Sequence, residues 1–281
     1  MVVALALAGT ACGGDGGSPA ERADADAPTT TVAGDAGPTE APGSTAPTTP
    51  PLTRPDWLGT RVIPDGAGPQ PTPPELDPRA LPTVDALPPP ADGAFHAAIA
   101  AVPPDVAARS TWQPDCPVAL EDLRYVTVSF RGFDGLAHTG ELLVHADAAD
   151  AMVAAFERLF AVGYPIEDMR ISTLAELDAP NTGDGNVTTA FVCRPTRGRS
   201  SWSQHAYGRA VDVNPFQNPY VRDGTDLIPG FATSYLDRGN VRPGMIVAGD
   251  GTVSAFGDVG WQWGGAWSNP VDYMHFSANG R

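Results

Sequence analysis

The chain has 281 residues, and its 33 acidic and 17 basic side chains give a net charge of −16. This balance excludes a nucleic-acid-binding surface, because no basic stripe is available to neutralise phosphates. An acidic surface also gains nothing from anionic lipid headgroups. The length allows one or two domains, and we expect a monomer.

The first twelve residues resemble the end of a bacterial lipoprotein signal peptide. Val2 to Ala8 is an apolar run too short to cross a bilayer, and Gly9-Thr10-Ala11-Cys12 follows it. This pattern predicts a signal segment over residues 1–12, lipidation of Cys12, and an exported protein that touches the membrane only through its lipid anchor. An ordinary signal peptide and a secreted protein, in which Cys12 has no role, is the alternative.

Residues 13–93 are predicted to be a disordered linker rich in Pro, Thr, Ala and Gly. They hold 18 of the 30 prolines and almost no aromatic residues. Such a composition buries too little apolar area to offset the entropy of ordering the chain. The folded domain is therefore predicted to span residues 94–281, with its core at about 112–278.

A hairpin and a helix open the predicted domain. Residues 123–130 alternate between apolar and polar side chains and are rich in β-branched types, which predicts a strand. A turn at 132–135 leads to a returning strand at 141–145. Residues 147–162 place Met and Phe side chains on one helical face, and the helix should end at Gly163.

Shorter elements follow. Residues 169–173, 190–193 and 210–213 are strand candidates, and residues 178–186 are a loop by composition. Strands and helices in this mixed order predict an α+β fold, a small and mostly antiparallel sheet with flanking helices.

Two cysteines remain in the predicted domain, Cys116 and Cys193. An even number of cysteines in an exported domain favours a disulfide. Metal ligation is the weaker alternative, because neither cysteine has a second Cys or a His at ligand spacing. A bridge would join the start of the domain to the segment that precedes the densest group of polar residues.

That group begins with Ser203-Gln204-His205-Ala206-Tyr207-Gly208-Arg209-Ala210-Val211-Asp212. A His followed, after a Gly turn, by an Asp on a short strand can aim a nitrogen and an oxygen at one point. A later segment, from Gly260 through Trp263-Gly264-Gly265 to Asp272-Tyr273-Met274-His275, supplies a second His and another carboxylate. Three ligands of mixed N and O type leave one position open for water, as in catalytic zinc sites.

Together, Ser-x-His-x-x-Gly-x-Ala-x-Asp and the later Trp-Gly-Gly-x-Trp with Asp-x-x-His-Phe resemble the VanY-type D-alanyl-D-alanine carboxypeptidases. These enzymes share a fold group with lysostaphin-like peptidases and the hedgehog signalling domain. The resemblance covers roughly residues 112–277. It implies this hedgehog/D-Ala-D-Ala-peptidase-like fold and a Zn²⁺-dependent peptidase facing the cell wall, with the peptidoglycan stem peptide as substrate.

The resemblance also implies a role for individual residues. The metal ligands would be His205, Asp212 and His275, and Asp272 would be the catalytic carboxylate. Ser203, beside the first ligand, would help to bind the substrate. Arg194 would stabilise the oxyanion; as an alternative, it is an ordinary surface or ion-pairing residue.

Three functions remain open at this point. The first is a carboxypeptidase that removes the terminal D-Ala, which needs a donor for the substrate carboxylate; Arg197 and Arg199 are available just before the first motif. The second is an endopeptidase for another stem bond, such as L-Ala-D-Glu. The third, a zinc-retaining wall-binding module without activity, is disfavoured because a binder has no need of Asp272.

Overall fold

The computed structural model describes residues 53–281. The predicted signal segment, the lipidation site Cys12 and the part of the predicted linker up to residue 52 lie outside the described residues. None of the helices within residues 53–281 has the length and apolarity required to span a bilayer.

The described chain contains short strands and short helices. The strands are β1 (Ala97–Ala101), β2 (Leu123–Arg131), β3 (Ala137–His145), β4 (Asp168–Met169), β5 (Val187–Thr188), β6 (Ala210–Asp212), β7 (Tyr220–Arg222), β8 (Asp226–Ile228), β9 (Gln262–Trp263), β10 (Val271–Asp272) and β11 (His275–Ser277). The α-helices are α1 (Pro104–Arg109), α2 (Ala149–Ala161), α3 (Leu174–Leu177) and α4 (Gly251–Gly257). The 3₁₀ helices are Pro74–Leu76, Leu120–Asp122, Ala146–Ala148, Gln204–Tyr207, Ala232–Tyr235 and Gly264–Ala266.

The predicted hairpin and helix form the largest regular part of the fold. Strands β1, β2 and β3 make an antiparallel sheet in that order, with Leu123 opposite His145 at one end of the hairpin. Helix α2 buries Met152, Phe156 and Leu159 against this sheet. The apolar periodicity of the sequence therefore predicts both elements correctly.

The α+β class is confirmed, but the antiparallel strands form several small sheets. Strands β7, β8 and β10 make one three-stranded sheet, and β6, β9 and β11 make another, while β4 and β5 pair in parallel. The strand predicted at 169–173 is wrong in extent, because β4 covers Asp168–Met169 alone, and the strand predicted at 190–193 is wrong, because that segment forms no ladder. Instead, the Phe191 N–H bonds the Leu143 carbonyl and the Val192 N–H bonds the His205 carbonyl.

The predicted boundary between linker and domain at residue 93 is wrong. Residues 53–93, here called the arm, pack against the rest of the domain. Ile63, Leu76 and Leu81 of the arm are buried with Phe216 and Tyr235 in one apolar cluster. A few well-placed apolar side chains thus offset the entropy of ordering a Pro-rich segment, and the proline content itself reduces that entropy.

The predicted disulfide is present. Cys116 and Cys193 are bonded, with their Cα atoms 5.9 Å apart. The bridge packs with Val118, Leu143 and Phe191 in a third apolar cluster. It joins the loop before β2 to the segment that leads into the first motif.

Candidate metal centre

A short 3₁₀ helix, Gln204–Tyr207, holds the first motif. The Ser203 hydroxyl accepts a hydrogen bond from the His205 main-chain N–H at 3.3 Å and caps this helix. Gly208 ends this helix in the left-handed region at φ +67°. A Cβ at this position would lie 2.5 Å from the His145 main-chain nitrogen. Only glycine fits this turn, which sends the chain directly into β6 with Asp212 at its end.

The second motif brings its histidine to the same place through strand pairing. Strand β11 runs antiparallel to β6, and His275 lies directly opposite Asp212. Opposed residues share one face of the sheet, so their side chains are neighbours. The next residue, Phe276, points to the other face and stacks on Phe256 with ring centroids 4.1 Å apart. This packing anchors the strand beneath the polar side chains.

Three donor atoms converge where these segments meet. The Nε2 atom of His205 and the Nδ1 atom of His275 lie 3.2 Å and 3.1 Å from the same Asp212 Oδ1 atom. The two nitrogens are 3.2 Å apart, and both rings are buried. Among residues 53–281, this is the one group of three His, Cys, Asp or Glu side chains whose donor atoms all lie within 4.8 Å of one another.

The outer nitrogen of each ring faces a main-chain oxygen. His205 Nδ1 donates to the Ala190 carbonyl at 2.6 Å, and His275 Nε2 donates to the Arg281 oxygen at 3.3 Å. A carbonyl only accepts, so these outer nitrogens carry the protons of the neutral rings. Both inner nitrogens then present lone pairs to each other and to a carboxylate, an arrangement that is repulsive without a cation between them.

The spacing and chemistry of the donors fit Zn²⁺. Zinc bonds of about 2.0–2.1 Å in a tetrahedral site separate neighbouring donor atoms by about 3.3–3.4 Å, close to the separations found here. Burial alone would raise the pKa of Asp212, but in the metal-free site a proton carried on the inner nitrogen of His205 or His275 outweighs burial and lowers that pKa well below its usual range. The carboxyl is therefore ionised, as a metal ligand must be.

Asp272 lies beside this cluster on β10, opposite Tyr220 of β7. Its Oδ1 atom is buried and has no hydrogen-bond partner within residues 53–281. Burial, and then the charge of Asp212, raise the pKa of Asp272 to about 7. A carboxyl with this pKa can both take up and release a proton near neutrality. Gly264 leaves room for it, because a Cβ there would lie 3.0 Å from the Asp272 Cβ.

Arg194 is half-buried, and its side chain bonds only the Pro195 carbonyl of its own loop, at 3.3 Å. Burial lowers the pKa of its guanidinium, while the charges of Asp212 and Asp272 act in the opposite direction. Arg194 thus lies within electrostatic reach of both carboxylates. The Ser203 hydroxyl accepts a hydrogen bond from the His205 main-chain N–H and caps the 3₁₀ helix. Its observed contact therefore positions His205.

Other groups at the site were missed by sequence reasoning. The Ala190 and Arg281 main-chain oxygens orient the two rings, and a main-chain carbonyl has no sequence signature. Gly264 was part of a quoted motif, but its role depends on the proximity of Asp272. The indole of Trp263 donates to the Tyr273 carbonyl at 2.8 Å and fixes the segment between Asp272 and His275.

A family model described as D-alanyl-D-alanine carboxypeptidase matches residues 196–278. No curated protein and no solved structure matches the chain. The matched segment includes all three residues of the cluster together with Ser203 and Asp272, and it begins after Arg194. The match supports a VanY-type peptidase, as the two motifs predict, and thus an exported hydrolase that acts on peptidoglycan peptides.

Proposed function

We propose that this protein is a zinc-dependent D-alanyl-D-alanine carboxypeptidase of the cell wall. One observation carries the proposal. The donor atoms of His205, Asp212 and His275 meet within a segment that matches the carboxypeptidase family model. These three residues would hold the metal. When bound, zinc would supply Lewis-acid polarisation of the scissile carbonyl.

Asp272 is the general base and then the general acid of the proposed reaction. Its buried, unpartnered Oδ1 is free to accept a proton from the attacking water. With a pKa raised to about 7 by burial and by Asp212, the carboxyl can return that proton to the leaving D-alanine amine. A proton in transit therefore stays on one side chain between bond formation and bond cleavage.

Arg194 supplies positive charge where the tetrahedral oxyanion develops. Its side chain has no ion-pair partner among residues 53–281, so it can turn toward the substrate oxygen. A donor of this kind commonly contributes about 3 kcal/mol of transition-state stabilisation. Ser203 contributes through the position of His205 and, in our proposal, through contact with the stem peptide.

For localisation, we propose a lipoprotein anchored through Cys12, with the enzyme domain in the wall as a monomer. The Gly9-Thr10-Ala11-Cys12 sequence supports this proposal. Mass spectrometry of the mature amino-terminal peptide decides it: a diacylated Cys12 is expected, whereas cleavage elsewhere with an unmodified cysteine would point to secretion.

The first experiment measures release of D-alanine from a synthetic stem pentapeptide by the zinc-loaded protein, with chelator as a second condition. We expect metal-dependent release, and a loss of about 10²–10⁴-fold in kcat for Asp272→Ala. The variant should still bind one equivalent of zinc, because Asp272 is not among the ligands. Asp258→Ala, which removes an exposed carboxylate, is the matched control.

A zinc-loaded, folded protein that releases no D-alanine would contradict the carboxypeptidase assignment. Mass spectrometry of digested wall then separates the remaining functions. New cleavage within the stem, for example between L-Ala and D-Glu, would identify an endopeptidase, and no cleavage would identify a binding module.

A further inference from the structure

A tight hairpin loop, residues 195–202, stands directly before the metal-binding 3₁₀ helix. Pro195 and Trp202 form its base as an isolated antiparallel bridge, and the Thr196 N–H bonds the Ser201 carbonyl at 2.8 Å. The N–H of Ser203 then donates to the Arg194 carbonyl at 3.2 Å. Both ends of the loop are therefore held by residues that flank the candidate centre.

The tip of this loop reaches the sheet that carries Asp272. A Cβ on Gly198 would lie 3.7 Å from a guanidinium nitrogen of Arg222. Arg222 is the last residue of β7, the strand that pairs with β10 and places Tyr220 opposite Asp272. The loop thus spans from the 3₁₀ helix that carries His205 to β7, the strand that pairs with the Asp272 strand.

The loop carries two guanidinium groups without a partner. Within residues 53–281, neither Arg197 nor Arg199 makes an ion pair, side-chain hydrogen bond or ring contact, whereas Arg222 beside the loop pairs with Asp226. The chain has 33 acidic residues for 17 basic ones, so carboxylates are plentiful. An exposed arginine without a partner, on a loop beside the candidate centre, is available to a ligand in such a protein.

The charge of Arg197 reaches the centre. It acts on Arg194, Tyr220 and Asp272, and in the last case it opposes the rise in pKa that burial and Asp212 produce. With Zn²⁺ bound, the carboxylates of Asp212 and Asp272 would balance its two charges, so the centre has no net charge that attracts an anionic substrate terminus. A substrate that enters with a free carboxylate therefore gains from a separate cation beside the centre.

We propose that Arg197 is the specificity-determining residue that binds the free terminal carboxylate of the substrate. The guanidinium sits on a loop that runs from the His205 helix to β7, and its planar fork suits two parallel hydrogen bonds to a carboxylate. This inference rests on the proposed function and sharpens it: the enzyme selects peptides by their free C-terminus, and longer or capped chains are poor substrates.

The test gives the zinc-saturated protein two substrates. One is a pentapeptide that ends in D-Ala-D-Ala with a free carboxylate, and the other is the same peptide as its carboxamide. For the unmodified protein, kcat/KM should favour the acid by about 10- to 100-fold. Arg197→Ala should lower kcat/KM for the acid by a similar factor and bring the ratio near one, mainly through KM. Arg197→Lys should recover part of the preference.

Two further variants make the result specific. Arg158→Ala removes the same charge from an exposed residue that pairs with Asp258, and it should keep the full preference for the acid. Arg199→Ala tests the neighbouring guanidinium, and a larger loss of preference there than at Arg197 would overturn the assignment. Binding of the two peptides to the metal-free protein, measured by titration, should show the same acid preference and its loss in Arg197→Ala.

The outcomes separate this inference from the proposed function. Cleavage of acid and amide at equal rates would overturn the role of Arg197 and leave the carboxypeptidase intact. An equal loss on both substrates in Arg197→Ala would show a structural effect and overturn it as well. If neither peptide loses D-alanine, the proposed function fails together with the inference.

Discussion

The arm and the candidate centre each bury charged side chains, but they satisfy them differently. In the arm, Arg79 is 2% exposed and makes two hydrogen bonds of 2.7 Å to Glu167, which is fully buried. Arg79 makes a third hydrogen bond to the Asp184 main-chain carbonyl, and the Asn186 side chain also donates to the Glu167 carboxylate. At the centre, by contrast, acceptor atoms of His205, Asp212 and His275 face one another.

This difference indicates what each cluster is for. A buried ion pair whose hydrogen bonds are complete needs nothing further, so its role is to hold the arm in place. A buried cluster of facing acceptors is costly in the protein alone and is relieved by a cation. Structural and ligand-binding roles are thus distinguished by whether the buried polar atoms already have partners.

The largest expected effect concerns the arm. Arg79→Met leaves the buried Glu167 carboxylate with only the longer Arg54 contact at 3.6 Å as counter-charge, and it should lower the free energy of unfolding by about 3–5 kcal/mol. Chemical denaturation measures this. The double variant Arg79→Met/Glu167→Leu should recover most of the loss, because both charges are then removed. A loss below about 1 kcal/mol in the single variant would mean that the arm is not held by this pair.

The next prediction concerns the centre. Zinc at about one hundred times its Kd should raise the free energy of unfolding of the metal-free protein by about 2.7 kcal/mol. Asp212→Asn should gain far less, because it loses the charged ligand. Arg79→Met should gain as much as the unmodified protein, since within residues 53–281 no hydrogen bond or ion pair joins Arg79 or Glu167 to the three clustered side chains. Equal stabilisation of Asp212→Asn would place the zinc elsewhere.

The candidate centre could be predicted from sequence to a large extent. The three side chains that converge there lie on two short motifs, and fixed spacings around Gly208 and between Asp272 and His275 carry the information. The strand pairing that sets His275 opposite Asp212 is a long-range contact, which the motifs imply only through resemblance. The roles assigned to Asp272, Arg194 and Ser203 remain predictions.

The arm could not be predicted, for a physical reason. Its composition is that of a disordered segment, and Leu76 and Leu81 follow no helical or strand period. Their partners, such as Phe216 and Tyr235, lie more than a hundred residues away in sequence. Burial that depends on such distant contacts leaves no local signal, whereas the hairpin and α2 carry their periodicity within their own residues.

The smallest effect expected on stability tests how closely the centre is packed. In Gly264→Ala the new Cβ would lie 2.7 Å from the Asp272 carbonyl oxygen and 3.3 Å from the His275 Cβ. We expect a loss of about 1–2 kcal/mol in stability, because the methyl group forces a small backbone shift. A displacement of the base by even ~1 Å should lower kcat by about 10²-fold while zinc remains bound.

Gly257→Ala is the control for this variant. It adds the same methyl group in α4, where no atom lies within 4 Å of the new Cβ, and it should be neutral or slightly stabilising. Normal kcat in Gly264→Ala would mean that the segment around Asp272 yields to the added methyl group, and that close packing does not hold this carboxyl in place. A low kcat with full zinc content would instead indicate that close packing positions Asp272, because its buried Oδ1 has no hydrogen-bond partner within residues 53–281 to hold it.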